Sequence, residues 1–381
     1  MEAPPEVHTE EPLRWEPLPG RRESLLALDR KIPTMQQKTR TDMHGIAQIW
    51  QPSDFLPDFT EQDLAFEKIR TIQRQARLLP PELLIVLIGD TVTEDGLPIF
   101  TSRLFTIYGL PTGGQSDVHA HHGNLQGWFG KWTAEEHRHG QVLNTFLRCT
   151  GRVNMQAYER TVQLFLEDGM DIGAGNDPYR GFVYTAFQEL ATQRSHMNVA
   201  KLAKNHGNPL LAEICGQVAA DEGYHARAYT EFVRTFFERD PNGMMQALSD
   251  MLERGIMMPA HKMREVDPSG KVLQPGETYE YFSHVAQKLG IYTAKDYAEI
   301  SGDLLQAWNV GQKTGTTWGA LPFPGLQAEG MEAQQKVLRR QRLIERLASG
   351  NRQKEFSPRE VSWLLSPSAP PCSGTTRPSI L

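Results

Sequence analysis

Two helical stripes in this chain each place a glutamate and a histidine where a helix normally buries only apolar side chains. The first stripe runs through Trp128, Trp132, Glu136, His139, Leu143 and Phe146, and the second through Leu211, Ile214, Val218, Glu222, His225, Tyr229 and Phe232. Residues three apart are neighbours on a helix, so a carboxylate oxygen and a ring nitrogen of each pair can meet at one ion. A single Glu-x-x-His pair is usually a buried polar contact, but its recurrence favours a metal site.

The sequence offers these buried carboxylates no basic partner, because Lys131, Glu135 and Arg138 are expected on other faces of the first helix. A buried, unpaired carboxylate is costly, so such groups are protonated or bound to metal. A two-metal carboxylate site in a helical bundle takes Glu-x-x-His from two helices and one further glutamate from each of two others. Two more glutamates are therefore expected.

Glu189, on the stripe that also carries Thr192, supplies one of these glutamates. Glu94 is the candidate for the other, and its neighbour Asp95 is an alternative on spacing alone. Gly96 and Pro98 are expected to kink or interrupt the helix near this point. Four carboxylates and two neutral imidazoles would balance two divalent ions, and oxygen and nitrogen ligands suit either iron or manganese.

The remaining pattern predicts an all-α protein. Apolar residues recur at spacings of three and four in the segments 61–78, 125–149, 155–168, 180–204, 208–239, 243–257, 277–289, 294–309 and 327–348. Turn-forming sequences such as "DPYRG" separate these runs, and alternation typical of a sheet is not evident. We expect one helical bundle at 41–355, an N-terminal arm at 1–40 and a flexible C-terminal tail at 356–381.

Composition narrows the class of protein further. The net charge is -6 and the pI is about 6.1, which gives no general attraction for nucleic acid. The longest apolar run, "LLIVLI" at 83–88, is too short to cross a bilayer. Three scattered cysteines favour a reducing compartment, and the acidic N-terminus is not typical of a secretory signal or a transit peptide. We expect no membrane insertion and no nucleic-acid partner.

Seven segments of the chain closely resemble the soluble acyl-(acyl carrier protein) desaturases of plants and algae, which are ferritin-like di-iron enzymes. The resemblance covers roughly residues 40 to 310. Its segments are "WQPSDFLPD" (50–58), "LIGDTVTEDGLP" (87–98), "WTAEEHRHG" (132–140), "GFVYTAFQELAT" (181–192), "ICGQVAADEGYH" (214–225), "MPAH" (258–261) and "LGIYTAKDYAEI" (289–300).

The resemblance implies a ferritin-like bundle that binds two Fe2+ ions per subunit. It implies the ligands Glu94, Glu136, His139, Glu189, Glu222 and His225. It further implies an electron route through Trp50 and Asp221 to His139, and places Thr192 on the oxygen side of the metal pair. The implied acyl channel is lined by Leu104, Thr106, Ile107, Gly181 and Phe182.

The implied activity is desaturation of a saturated acyl chain on acyl carrier protein, with stearoyl at carbon 9 as the expected substrate. The implied partners are ferredoxin, as electron donor, and a second copy in a homodimer. The resemblance also implies the plastid stroma, with the cytoplasm as the alternative. A related di-iron hydroxylase or oxidase, and an acyl-carrier-binding protein with impaired electron input, remain competing hypotheses.

The chain departs from the family pattern at three places. Gly223, Tyr224 and Ala226 replace two basic residues and an acidic one, the loop at 111–127 is longer than usual, and Arg103 stands near the channel where an uncharged residue is typical. The histidine-rich "HAHH" at 119–122 fits a solvated loop better than a metal site. The basic segment 336–354 fits a solvated helix face better than a docking site for an acidic partner.

Overall fold

The backbone is almost entirely helical in the computed structural model, which describes residues 20–39, 49–108, 123–350 and 359–365. The helices are α1 (Arg21–Thr39), α2 (Pro52–Phe55), α3 (Gln62–Ala76), α4 (Pro81–Glu94), α5 (Leu97–Tyr108), α6 (Asn124–Thr150), α7 (Met155–Asp168), α8 (Pro178–Asn205), α9 (Pro209–Arg239), α10 (Pro241–Arg254), α11 (Glu277–Lys288), α12 (Ala294–Ala307) and α13 (Ala328–Ser349). The prediction of an all-α helical bundle is confirmed.

A two-stranded hairpin is the one sheet among the residues that the structure describes. Strands β1 (Gly311–Thr314) and β2 (Thr317–Ala320) pair antiparallel, with Thr314 opposite Thr317. Trp318 on β2 is almost fully buried, and its indole nitrogen donates to Glu345 Oε1 of α13 at 2.9 Å. The sequence analysis missed this hairpin because four-residue strands are too short for alternation to show.

Helices α8 and α9 form an antiparallel pair through a tight turn at 206–208. Gly207 has φ +71°, a conformation that glycine adopts without strain. The side chain of Asn208 then accepts a hydrogen bond from the Leu211 backbone N–H at 2.9 Å, and Pro209 occupies the first helical position. These residues end one helix and begin the next within three positions. The turn brings the ligand candidates of both helices to one level.

Two apolar cores lie on either side of that level. On α6, Trp132 belongs to the first core and Val142 to the second, and on α9 the first core contains Ala228 while the second contains Val218. The Glu-x-x-His pairs fall between these positions on both helices. The polar residues therefore form one layer enclosed by apolar side chains above and below.

Helix α4 ends at Glu94, and α5 begins at Leu97, as the interruption expected at Gly96 requires. A Cβ at Gly140 of α6 would lie 2.9 Å from Asp95 Oδ1 and 3.5 Å from the Glu94 backbone carbonyl. Glycine next to His139 therefore allows the end of α4 to approach α6 closely. This approach brings Glu94 into the polar layer.

The described part of the expected N-terminal arm is a helix packed on the bundle. Leu28 and Ile32 of α1 are buried in the first core. The Arg21 guanidinium pairs with Asp177 at 3.0 Å and with Asp240 at 3.2 Å. The boundary drawn at residue 40 is thus corrected to include α1 in the domain. Pro33 within the helix and the mixed polarity of the segment hid it from pattern analysis.

Residues 359–365 of the expected flexible tail are also packed. Trp363 is fully buried, and its indole nitrogen donates to Thr161 Oγ1 at 2.9 Å, while its carbonyl accepts from Asn154 N at 2.7 Å. Arg359 pairs with the fully buried Glu265 at 2.9 Å. This part of the expected tail therefore clamps α7 to the segment before α11, and the tail prediction is wrong for these residues.

Candidate metal centre

Four helices each present acidic or imidazole side chains to the polar layer, all at least nine-tenths buried. They are Glu94 from α4, Glu136 and His139 from α6, Glu189 from α8, and Glu222 and His225 from α9. These are the six residues that the sequence predicts. They meet because α4, α6, α8 and α9 pack around one axis, with the stripes predicted on α6, α8 and α9 turned inward.

The six side chains form two overlapping groups that could each hold a metal ion. One comprises Glu94, Glu136, His139 and Glu222, and the other Glu136, Glu189, Glu222 and His225. Within each group the candidate ligand atoms all lie within 4.8 Å of one another. Glu136 and Glu222 belong to both groups, so either ion would have them among its candidate ligands.

The choice between Glu94 and Asp95, which spacing left open, is decided by the fold. Asp95 faces away from the cluster, where its Oδ2 accepts from Asn144 Nδ2 at 2.8 Å and from the hydroxyl of Tyr158. Glu94 faces inward, and its Oε1 lies 3.2 Å from His196 Nε2. Glu94 is therefore the candidate ligand.

Both histidines direct Nδ1 to the cluster. His139 Nδ1 lies 3.6 Å from oxygens of Glu136 and Glu222. His225 Nδ1 lies 2.8 Å from Glu136 Oε1 and 3.4 Å from oxygens of Glu189 and Glu222. A neutral ring bound to a metal through Nδ1 keeps its proton on Nε2, so the outer nitrogens need acceptors.

Asp221 supplies the acceptor for His139, with Oδ2 at 3.4 Å from Nε2. The same oxygen accepts from Trp50 Nε1 at 2.8 Å, and the Trp50 ring lies parallel to that of His139 at 6.1 Å. The structure therefore brings together Trp50, Asp221 and His139, which the resemblance had linked. The chain of contacts runs from the half-buried Trp50 to the cluster.

Glu135 supplies the corresponding acceptor for His225, with Oε2 at 2.9 Å from Nε2. The buried Arg138 lies between the two outer acids, 3.5 Å from Glu135 Oε1 and 3.7 Å from Asp221 Oδ2. The expectation that Glu135 and Arg138 point away from the site is wrong. The sequence analysis assigned Glu135 and Arg138 to the outer faces of α6 by considering that helix alone. In the structure, α9 packs against the side of α6 that carries them.

Burial of the acids creates an electrostatic conflict. Burial, reinforced by the nearby Glu222 and Glu136, raises the pKa of Glu94 to about 7. Burial likewise raises the pKa of Glu189 well above its ordinary value, against the opposing influence of His225. The carboxylates of this layer cannot all ionise without a compensating positive charge.

Burial would also raise the pKa of Glu222, but hydrogen bonds from His139 and His225 outweigh it and hold that pKa well below its ordinary value. For the two histidines burial lowers the pKa, yet hydrogen bonds and charges of the surrounding carboxylates leave it well above the ordinary value. Positive charge is therefore strongly favoured at this position.

A second observation indicates that these residues are suited to bind metal ions. Glu136 Oε1 and His139 Nδ1 are buried and make no hydrogen bond of good geometry, although His225 Nδ1 lies 2.8 Å from Glu136 Oε1. Such atoms are rare in folded proteins unless another group satisfies them. Two divalent cations would satisfy both and would balance the four carboxylates.

A comparison with protein families places the chain. The model for the fatty acid desaturase family matches residues 24–365. The chain belongs to the fatty acid desaturase family. It is 41% identical over 323 residues to the chloroplastic stearoyl-(acyl-carrier-protein) 9-desaturase of Ricinus communis, covering 84% of this chain and 76% of that protein. The corresponding protein of Olea europaea is 41% identical over 327 residues, covering 85% and 78%.

A third relative, stearoyl-(acyl-carrier-protein) 9-desaturase 5 of Arabidopsis thaliana, is 39% identical over 328 residues, covering 85% of this desaturase family member and 77% of the relative. The family resemblance seen in the seven sequence segments is thereby confirmed.

Among the described helices, none is both long and apolar enough to cross a membrane.

Two cavities meet the cluster of this desaturase family member on the side of Glu94 and Thr192. The larger, of about 510 Å³, lies against α11 and α12 and is bordered by Tyr279, Phe282 and Tyr292. The smaller, of about 60 Å³, contacts four of the candidate ligands and continues toward Leu104. Thr192 lies on the wall of both, with its hydroxyl donating to the carbonyls of Gln188 and Glu189 at 3.2 Å.

The predicted channel residues are only partly brought together. Leu104 lines the small cavity, whereas Ile107, Gly181 and Phe182 are buried in the packed core next to it. Thr106 is exposed, and its hydroxyl donates to the Ser102 carbonyl at 2.8 Å. The helical spacing on α5 turns Thr106 away from the face that carries Leu104.

The departures from the family pattern also have structural outcomes. Gly223 packs against α8, where a Cβ would meet Gln193 Nε2 at 2.3 Å, and the Tyr224 ring lies 4.3 Å from the Arg227 guanidinium carbon. Arg103 donates to the Gly175 carbonyl at 3.0 Å instead of lining the small cavity. The "HAHH" sequence, residues 111–122 of the long loop and residues 351–354 of the basic segment lie outside the described residues.

Proposed function

We propose that this chain is an acyl-(acyl carrier protein) desaturase that introduces a cis double bond into a saturated acyl chain, with stearoyl at carbon 9 as its expected substrate. The observation that carries the proposal is the buried six-residue cluster directly beside two cavities. The names of relatives about 40% identical over more than four-fifths of the chain support the substrate class. Those relatives are named chloroplastic, which supports the plastid stroma as the location.

We propose two Fe2+ ions as the metal; each of the two groups of candidate ligands would hold one ion, and Glu136 and Glu222 belong to both groups. Bound iron supplies the oxidising power, drawn from molecular oxygen, that removal of hydrogen from an unactivated methylene requires. The side chains of this protein are not oxidants of that strength. Their role is to hold the metal ions, to orient the acyl chain and to shield the reacting carbons from water.

The cavities orient the acyl chain and exclude water. The carrier protein is too large to enter, so the methyl end of the chain leads through the larger cavity and passes Thr192 into the smaller one. Trp132 donates from Nε1 to Glu189 Oε1 at 3.0 Å and fixes that carboxylate at the cavity wall. Apolar walls hold two adjacent carbons beside the cluster and keep competing water away.

Electrons from ferredoxin enter, in this proposal, along Trp50, Asp221 and His139. Trp50 is the outermost of these residues, and its hydrogen bond fixes the Asp221 carboxylate that holds the imidazole. We expect Trp50→Phe to reduce turnover with ferredoxin about 10-fold or more while leaving turnover with dithionite nearly unchanged. Equal losses with both reductants would contradict the route.

Product analysis tests the proposed activity. Purified, iron-loaded protein is supplied with stearoyl-(acyl carrier protein), oxygen, ferredoxin and its reductase, and the fatty acids are examined by mass spectrometry. We expect a monounsaturated product that is absent with Glu136→Ala and Glu222→Ala. An alcohol in place of the alkene would indicate a hydroxylase, and turnover with dithionite alone would indicate impaired ferredoxin interaction.

We also propose that the chain forms a homodimer, and sedimentation of the same preparation tests this. Residues 336–349 of the basic segment belong to α13 and offer exposed cations at which an acidic carrier protein can dock. Salt-dependent binding of the carrier protein would support that contact, and binding unaffected by salt would oppose it.

A further inference from the structure

Glu94 and Glu189 are the two glutamates among the candidate ligands that have no histidine three residues later on their own helix. Glu136 and Glu222 belong to Glu-x-x-His pairs within α6 and α9, whereas Glu94 is the last residue of α4. A long carboxylate side chain gives up its rotamer freedom only where a partner holds it. The orientation of the two lone glutamates therefore depends on neighbouring helices.

A buried ring nitrogen from another helix contacts each lone glutamate. Trp132 of α6 donates from Nε1 to Glu189 Oε1 at 3.0 Å, and His196 Nε2 of α8 lies 3.2 Å from Glu94 Oε1. Both rings are buried, so water competes little for either contact. The indole nitrogen can only donate, whereas an imidazole nitrogen can donate or accept. The direction of the His196 contact therefore depends on what surrounds the ring.

The surroundings of His196 favour the ring proton on Nε2. Nδ1 is buried and makes no hydrogen bond of good geometry, and the nearby Cys215 thiol is a weak acceptor. A proton on Nδ1 of the neutral ring would be a buried donor without a good acceptor, which is unfavourable. A proton on Nε2 faces Glu94, whose carboxylate is ionised when it binds a metal and then only accepts. His196 is thus the donor in this contact.

A neighbouring contact fixes His196 relative to α4. Ser195 Oγ donates to Asp90 Oδ2 at 3.1 Å, one turn before Glu94, so two successive residues of α8 bind two successive turns of α4. The cavity of about 510 Å³ is bordered by Asp90, Glu94 and His196. Without the contact to His196, the Glu94 side chain would have room to turn into this cavity, away from the other candidate ligands.

We propose that His196 is a positioning residue that donates from Nε2 to Glu94 and holds this carboxylate toward one of the two metal ions. That ion is the one whose candidate ligands are Glu94, Glu136, His139 and Glu222. The inference rests on the proposed metal centre and deepens it, because it assigns a support to the ligand at the end of α4. His196 itself belongs to neither group of candidate ligands.

Stepwise titration of the metal-free protein with Co2+, in competition with a chromophoric chelator, tests the proposal. We expect His196→Leu to lower the affinity for one ion by about 10- to 100-fold, the usual effect of removing a hydrogen bond to a metal ligand. The affinity for the other ion should stay nearly unchanged. His196→Gln should lose much less, because its amide nitrogen can donate from nearly the same place. The visible absorption of Co2+ at the affected position should change in His196→Leu and stay near that of the wild type in His196→Gln.

Two controls identify the ion that is affected. In a Glu94→Ala background, His196→Leu should change the Co2+ affinity little, because the effects of two residues that act through one contact are not additive. Trp132→Phe, which removes the equivalent donor to Glu189, should weaken the other ion.

Equal affinities of His196→Leu and the wild type for both ions would overturn the inference, as would an equal loss at both ions or an undiminished loss in the Glu94→Ala background. If His196→Leu does not fold, His196→Met, which also lacks a donor and adapts to irregular space, takes its place. Failure of the wild type to bind two Co2+ ions would refute the proposed metal centre and this role with it. Two bound ions without turnover of an acyl chain would instead refute the proposed activity and leave the result for His196 standing.

Discussion

Replacing Glu135 by glutamine isolates a contact that the helical stripe did not reveal. Glu135 Oε2 accepts from His225 Nε2 at 2.9 Å, and the Glu135 side chain is 15% exposed. Burial would raise the pKa of Glu135, but the hydrogen bond and charge of His225 outweigh it and lower that pKa. The carboxylate is therefore held ionised, as an acceptor for the ring proton. Glu135→Gln preserves the shape and removes the charge.

The size of the effect follows from the strength of this hydrogen bond. A hydrogen bond to a charged group contributes about 1.5–3 kcal/mol. That free energy corresponds to about a 10- to 150-fold change in an equilibrium constant, close to the roughly 10- to 100-fold loss of metal affinity typical when such outer contacts are removed. Because Arg138 contacts Glu135 as well as Asp221, some of the lost charge is compensated locally. We expect Glu135→Gln to lower the metal affinity by about 10- to 50-fold.

Glu135→Gln should lower the affinity for one metal ion more than the affinity for the other. His225 belongs to the group with Glu189, whereas His139 belongs to the group with Glu94. Stepwise titration of metal-free protein with Co2+, in competition with a chromophoric chelator, resolves the two affinities. Asp221→Asn should weaken the other ion, and Glu231→Gln, which alters only an ion pair with Arg234 on α9, is the control.

Equal affinities of Glu135→Gln and the wild type for both ions would refute the reasoning. The same conclusion would follow if Glu135→Gln weakened only the ion that Asp221→Asn weakens, because the two histidines would then not be held separately.

Three further predictions concern the stability of the fold. Trp363→Ala should lower the free energy of unfolding by about 3–5 kcal/mol, since the ring is fully buried and its N–H bonds to Thr161; urea denaturation measures this, and a loss below about 1 kcal/mol would show that the 359–365 segment is not a structural clamp. Burial raises the pKa of Asp90 from 3.8 to about 6, so the folded state binds more protons than the unfolded state between those values and stability falls as pH rises through that window. Asp90→Asn should remove this fall and stabilise the protein above pH 6 by about 1–2 kcal/mol, because partial exposure screens the charge; parallel pH profiles of variant and wild type would contradict it. Saturating Co2+ at about 100 times its Kd should stabilise the metal-free protein by about 2.7 kcal/mol per ion, a gain that a chelator reverses and that Glu136→Ala and Glu222→Ala lack; equal stabilisation of these variants would place the metal elsewhere.

The sequence by itself determined the helices that carry the cluster and five of its six candidate ligands. Helical periodicity is a local property, fixed by 3.6 residues per turn, so a glutamate or histidine that interrupts an apolar stripe can be recognised without knowledge of the neighbours. The same argument located the break after Glu94, because glycine disfavours a helix wherever it stands.

Only the tertiary structure decided between Glu94 and Asp95, which are adjacent and differ in the helix that each faces. It also showed that Glu135 contacts His225 and that Arg138 contacts Asp221. In addition, it showed that α1 and Trp363 pack against the bundle. The physical reason is common to all of these. What lies against the flank of a helix depends on elements tens to hundreds of residues away, and their packing leaves no periodic signal in the helix itself.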